Sequence, residues 1–185
     1  MKLTGAAILV SPGKTVLQAA QAGEGCRSAI GGERVGIATR MTEVLFLHLE
    51  RLRGLVGQPV ESARVVWYDP WDSLHAASPV VLTTGGRNLE LWSIYVAEFG
   101  FTWGEIDFAR PPFNWIGKPD PESRWVEAPQ TALRRACGAV IRSVRLIPAD
   151  DLCAGLELGF GGWALTLLTE LDDLIVTDEP EWVEV

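Results

Sequence analysis

Few side chains in this chain of 185 residues can do acid–base or metal chemistry near neutral pH: two histidines, His48 and His75, and three cysteines, Cys26, Cys137 and Cys153. His75 closes the run Asp69-Pro70-Trp71-Asp72-Ser73-Leu74-His75, and a second run, Asp150-Asp151-Leu152-Cys153, has the same character. Aligning them sets Asp72 against Asp150, Leu74 against Leu152 and His75 against Cys153. If the two loops meet, Asp72, His75, Asp150 and Cys153 offer two carboxylates, an imidazole and a thiolate, a donor set suited to zinc. A metal-dependent hydrolase is the enzyme class that set implies. The plainer reading is a pair of polar turns, with aspartate capping backbone N–H groups and leucine anchoring each loop. The plainer reading is favoured, because neither C-x-x-C nor H-x-x-x-H spacing accompanies these residues.

Other enzyme templates fail. There is no H-E-x-x-H, no G-x-S-x-G and no glycine-rich dinucleotide fingerprint after a strand. Gly13-Lys14-Thr15 lacks the earlier glycine a phosphate loop needs, since Ile8 stands there. His48 lies among Val44, Leu45 and Leu52 in a helical pattern, which makes it a packing residue. Cys137 has Arg134 and Arg135 beside it, yet an inert cysteine is the commoner outcome at the end of an apolar stretch. Carboxylates are too numerous for any pair to stand out. No cofactor is implied, and the balance tilts away from an enzyme.

Charge is the better clue. Sixteen Lys and Arg against 24 Asp and Glu give −8, which argues against a general nucleic-acid binder. Residues 1–40 hold five bases and two acids (+3), whereas residues 41–185 hold 11 bases and 22 acids (−11). After Arg145 no base follows, and ten acids do. Such a field attracts basic protein surfaces and speeds their association; it also keeps a small protein soluble without any partner. Asp172, Asp173, Asp178, Glu179, Glu181 and Trp182 are the candidate partner-binding residues there, with Trp115 and Trp125 upstream. No apolar run approaches the roughly 20 residues a membrane helix needs. Three cysteines define no disulfide framework, so a reducing cytoplasm is the default.

The elements that must position these residues recur. Leu52-Arg53-Gly54-Leu55-Val56-Gly57 and Leu133-Arg134-Arg135-Ala136-Cys137-Gly138 correspond at an offset of 81, and Ser62, Arg64 correspond to Ser143, Arg145. Val80–Leu91 corresponds to Leu156–Leu167 at an offset of 76. Each copy reads as a helix, a strand, a loop and a tight hairpin. In the first helix Leu45, Leu49, Leu52 and Val56 share a face and Thr42 can cap the start; Pro129 suits the first turn of the second. Gly57 and Gly138 suit left-handed helix ends. With Gly85-Gly86 as a two-residue turn, the opposed pairs are Thr84–Arg87, Leu82–Leu89 and Val80–Leu91. The second hairpin then pairs Phe160–Trp163, Leu158–Leu165 and Leu156–Leu167, so apolar pairs segregate to one face in both.

The expected fold is α+β, with two duplicated helix–strand–hairpin units forming one antiparallel-sheet domain. Unit one is 41–102, unit two is 130–185, and residues 103–129 are a Pro- and aromatic-rich connector strapped across both, or alternatively an exposed aromatic surface. Residues 1–40 read as a flexible leader or an extension ahead of a start at Met41; a secretory signal fits less well, because Ser11-Pro12-Gly13-Lys14 interrupts its apolar stretch. The expected function is a non-enzymatic, acidic protein-binding module, such as a small cytoplasmic inhibitor or immunity-type protein engaging a basic partner. The alternatives are the metal-dependent hydrolase and a structural module that forms homo-oligomers.

Overall fold

The computed structural model describes residues 8–11, 14–15, 40–75, 78–95, 98–112, 119–170 and 173–178. In chain order the elements are β1 (Ile8–Ser11), β2 (Lys14–Thr15), α1 (Met41–Leu55), β3 (Val60–Tyr68), a 3-10 turn (Asp69–Trp71), β4 (Ser73–Leu74), β5 (Val80–Thr84), β6 (Arg87–Tyr95), β7 (Glu98–Trp103), β8 (Ser123–Glu127), α2 (Thr131–Ala136), β9 (Ser143–Ala149), β10 (Leu152–Gly159), β11 (Ala164–Glu170) and β12 (Asp173–Thr177). They form two antiparallel sheets and one long helix, a loosely α+β arrangement. One sheet runs β4-β3-β5-β6-β7 with β8 on the other flank of β3, and the second runs β12-β11-β10-β9-β1-β2. α1 leads into β3, the short β4 and the run β5-β6-β7, and α2 into the four-stranded meander β9-β10-β11-β12. No helix among the described residues is long and apolar enough to cross a membrane.

Alternation of side chains decides which face of each sheet is inside. Val80, Leu82, Leu89, Leu91, Phe99 and Phe101 from one sheet and Val144, Leu146, Leu156, Leu158, Leu165 and Leu167 from the other belong to a single buried cluster. The hairpin registers agree with those expected: Thr84↔Arg87, Leu82↔Leu89 and Val80↔Leu91 in one, Leu158↔Leu165 and Leu156↔Leu167 in the other. Gly85 (φ 57°) and Gly86 (φ 70°) take the two left-handed positions that a tight hairpin turn requires.

The helices close the sandwich. In α1 the buried stripe is Val44, His48, Leu52 and Leu55, with Leu45, Leu49 and Val56 half-buried on its flank. The expected stripe of Leu45, Leu49, Leu52 and Val56 is thus rotated towards Val44 and His48. Thr42 does not cap the helix: Arg40 occupies the cap position without a side-chain hydrogen bond. Pro129 precedes Gln130, the cap of α2, so it stands outside the first turn. Both helices run into a left-handed glycine, Gly57 (φ 91°) and Gly138 (φ 83°).

The segments after the two helices hydrogen-bond to each other reciprocally. Gly57 N–H donates to Ile141 O (2.8 Å) and Gly138 N–H to Val60 O (2.7 Å); Val60 N–H donates to Ala139 O (3.0 Å) and Ile141 N–H to Gln58 O (2.9 Å). Each bond has its counterpart 81 residues along the chain. The Ser93 and Thr169 hydroxyls, 76 residues apart, meet at 2.5 Å.

The connector departs from the expected strap across both units. Its described part folds onto the first sheet, where Ile106 N–H donates to Glu90, Phe108 packs edge-on to Trp125 at 5.3 Å, and Arg64 lies over the Phe108 ring. Its later part becomes β8, paired with β3 from Arg64↔Glu127 to Tyr68↔Ser123. Of residues 1–40, Ile8–Val10 pair with Val144–Leu146 of β9, and Arg40 bridges to Leu152; most of the expected leader lies outside the described residues.

Candidate functional site

The site is built where β3 leaves its sheet. Pro70 presets the backbone of the Asp69–Trp71 turn, and Asp72 closes it in the left-handed region (φ 47°), which aspartate tolerates better than most residues. Asp72 N–H donates back to Asp69 O at 3.1 Å. The chain then returns as β4, with Tyr68↔Ser73 and Trp67↔Leu74 opposed. The start of β8 buttresses the turn from the other side: Asp69 N–H donates to Glu122 O (2.9 Å) and Arg124 Nε to Asp69 Oδ1 (2.8 Å).

Side chains fix this corner further. Trp67 Nε1 donates to Asp72 Oδ1 at 3.3 Å, and Tyr68 Oη–H to Glu122 Oε2 at 3.1 Å. Asp120 accepts from Glu122 N–H and the Ser123 hydroxyl. The hydrogen bond to Glu122, with desolvation and the negative charges of Glu122 and Asp120, pushes the Tyr68 phenol above its ordinary pKa. Tyr68 stays a protonated donor at neutral pH.

Two rings stand against Tyr68. Trp71 stands edge-on to it at 5.0 Å and His75 at 6.0 Å. Trp71 is nonetheless 78% exposed, the most exposed tryptophan among the described residues. His75 donates its backbone N–H to Val66 O, and its Nδ1 is enclosed without a hydrogen-bond partner. Asp69 has Arg124 as its counter-charge, whereas Asp72, Asp120 and Glu122 have no ion-pair partner among the described residues. The hydrogen-bonded turn thus leaves the Trp71 indole exposed, with the carboxylates of Asp72 and Glu122 held at Trp67 and Tyr68.

The metal set that the alternative reading drew from the sequence does not assemble among the described residues. No group of three or more His, Cys, Asp and Glu able to hold a metal ion forms among the described residues, which include Asp72, His75, Asp150 and Cys153. Asp150 (φ 54°) occupies the left-handed position of the β9–β10 turn, as Asp72 does in its own, so turn chemistry accounts for the recurrence. Cys153 is fully buried in β10, its Sγ–H directed at Gly155 O, and burial pushes the thiol up to about 12. It is a neutral core side chain, since a metal ligand would have to be thiolate. Cys137 is exposed at the end of α2, with its thiol raised chiefly by desolvation. His48 is buried and accepts from Trp103 Nε1 at 3.1 Å; burial first, then Arg51, lowers its pKa, so it stays neutral.

The C-terminal acids are used unequally. Asp178 is already paired with Arg135 at 2.9 Å, and that guanidinium lies over Trp163, which stacks on Phe160. Asp173 is exposed at the start of β12. Asp172, Glu179, Glu181, Trp182 and Trp115 lie outside the described residues. Trp125 is half-buried against Phe108 with its Nε1 enclosed.

Sequence reasoning missed Tyr68, Trp71, Asp120 and Glu122 as surface residues. The alternation of aromatic and acidic residues in Trp67-Tyr68-Asp69-Pro70-Trp71-Asp72 was the available signal; the partnership with Asp120 and Glu122 comes only from β8 pairing. Comparison of the chain with protein-family models, with curated proteins and with solved structures finds no match in any of the three.

Proposed function

We propose that this protein is a non-enzymatic, acidic binding module that engages a basic protein partner, in the manner of a small cytoplasmic inhibitor or immunity-type protein. The observation that carries the reading is the hydrogen-bonded corner at which Trp71 is exposed and Asp72, Asp120 and Glu122 have no cationic partner among the described residues. Carboxylates left unneutralised on a surface already biased by −11 over residues 41–185 steer a cationic partner. An exposed tryptophan on a pre-ordered turn then supplies the anchor, because little side-chain or backbone freedom remains to be lost on docking. In this reading Asp172, Asp173, Glu179 and Glu181 add to the net negative charge of residues 41–185. Charge neutralisation tests it: Asp72→Asn with Glu122→Gln keeps the turn and the Tyr68 hydrogen bond while removing two charges. The variant is expected to associate with the partner several-fold more slowly at low salt and with little change in dissociation. An unchanged association rate refutes it.

The scaffold is read here as two duplicated units. The reciprocal hydrogen bonds at an offset of 81 and the Ser93–Thr169 contact at an offset of 76 support a pseudo-twofold axis, because a residue touches its own equivalent only on such an axis. In that reading β1 and β8 are also equivalent. Each precedes its own helix and pairs into the other unit's sheet, beside β9 and β3 respectively.

A further inference from the structure

We infer that the outward face of α1 is a self-association surface, on which a second copy of this chain lays its own α1 antiparallel and seats its Phe46 in a notch at Gly54. Among the described residues three large apolar side chains are exposed, and two of them, Phe46 (89%) and Leu47 (46%), are consecutive on this helix. At about 100° per residue they point away from the buried stripe of Val44, His48, Leu52 and Leu55, on the side that also carries Glu43, Glu50 and Gly54. Gly54 is the second observation. It lies inside the helix without a positive φ, since Gly57 supplies the left-handed end, and a Cβ at Gly54 would meet nothing within 4 Å. A glycine there costs about 1 kcal/mol relative to alanine, and no close approach among the described residues requires it.

The face is complementary to a copy of itself. Leu47, Glu50, Arg51 and Gly54 stand at i, i+3, i+4 and i+7, the four corners of a hole that a side chain of a facing helix can enter. The missing Cβ of Gly54 opens one corner, and the stems of Glu50 and Arg51 give the hole apolar walls. Centring Phe46 on that hole in an antiparallel pair brings Glu43 level with Arg53 of the second copy, and the twofold axis repeats both contacts. Charge selects the same direction. The first half of α1 carries Glu43 and the second half Glu50, Arg51 and Arg53, so antiparallel helices set −1 against +1 at both ends, whereas parallel helices set like against like. Arg53 already pairs with Glu50 of its own helix, and a guanidinium has donors for a second carboxylate. One helix face is smaller than the roughly 1,200 Å² at which stable interfaces begin, so the pair is a reversible dimer.

Sedimentation equilibrium of the full chain from about 10 μM to about 1 mM tests this, and the weight-average mass is expected to climb from monomer towards dimer over that range. Phe46→Ala, at a site 89% exposed, should keep its melting temperature and weaken the dimer about tenfold or more. Gly54→Gln separates the surface from the fold. It should raise the melting temperature of dilute protein, because glutamine is the better helix former, while it fills the notch and weakens the dimer by a similar factor. Glu43→Arg and Arg53→Glu should each weaken self-association. An equimolar mixture of the two should recover it, since each copy then meets the opposite charge at both ends. Wild type that stays monomeric throughout the range overturns the inference. So does a dimer that Phe46→Ala and Gly54→Gln leave intact, or one that the two charge variants weaken singly and their mixture fails to restore.

Discussion

Thr102→Val tests how the outer face of the first sheet is held. The Thr102 hydroxyl donates to Glu90 Oε2 and accepts from Trp92 Nε1 at 2.9 Å, and the other Glu90 oxygen accepts from Ile106 N–H at 2.6 Å. Glu90 has no exposed surface and Thr102 has 7%. Valine keeps the shape and removes the hydroxyl. A hydrogen bond to a charged group contributes about 1.5–3 kcal/mol and a neutral one about 1, while the added buried methyl returns about 0.8. The net loss is about 2–3 kcal/mol, or roughly 4–12 °C in Tm for a chain of this length. Thermal unfolding followed by near-ultraviolet circular dichroism reads it, with exposed Thr42→Val expected to stay within about 0.5 kcal/mol of wild type. A double-mutant cycle with Glu90→Leu should show coupling of about 1–2 kcal/mol. A loss under about 1 kcal/mol, or additivity in the cycle, refutes the network as the clamp between connector and sheet.

Three further outcomes are expected. Gly155→Ala should destabilise by about 2–4 kcal/mol in chemical denaturation, because a Cβ there would lie 2.3 Å from Leu167 O and the backbone of β11 cannot yield cheaply; a neutral result contradicts the close approach. With Cys26 replaced by serine, a thiol reagent at pH 8 should label Cys137 promptly and Cys153 only on unfolding, since burial raises Cys153 to about 12. Tyr68 should ionise above pH 10 in an ultraviolet titration, and Glu122→Gln should return it towards 10. As its folded pKa is raised, whatever stability it contributes is fully present below pH 10 and fades as pH climbs through the folded value; ionisation of Tyr68 at or below the ordinary value contradicts the Tyr68–Glu122 bond.

Local pattern made the hairpins legible. Only one register of the Gly85-Gly86 hairpin pairs Val80, Leu82, Leu89 and Leu91 on one face, as found. The recurrence of Asp72 and Asp150 was also visible, although its cause is a shared left-handed turn and not shared ligation. Partners distant in sequence were not legible. Glu90 reads as an outward, solvated residue of β6, and it is buried because residues 104–112 fold over that face, with Ile106 N–H closing on its carboxylate. Cys153 read as a loop ligand, yet Leu152-Cys153-Ala154-Gly155-Leu156 is an apolar strand with cysteine pointing inward. Trp71 was in view throughout. Composition does not distinguish a core tryptophan from an exposed one, and only the turn geometry and β8 set it apart.

The most direct test of the central claim captures the partner with tagged full-length protein from its native lysate, comparing wild type with the Asp72→Asn, Glu122→Gln variant at about 0.05 M and 0.5 M salt, on either side of the range where screening lengths become short. The account expects one basic protein, retained stoichiometrically by wild type at low salt, released at high salt and weakly retained by the variant. A partner of acidic or neutral charge, or retention indifferent to both salt and the two substitutions, would contradict it.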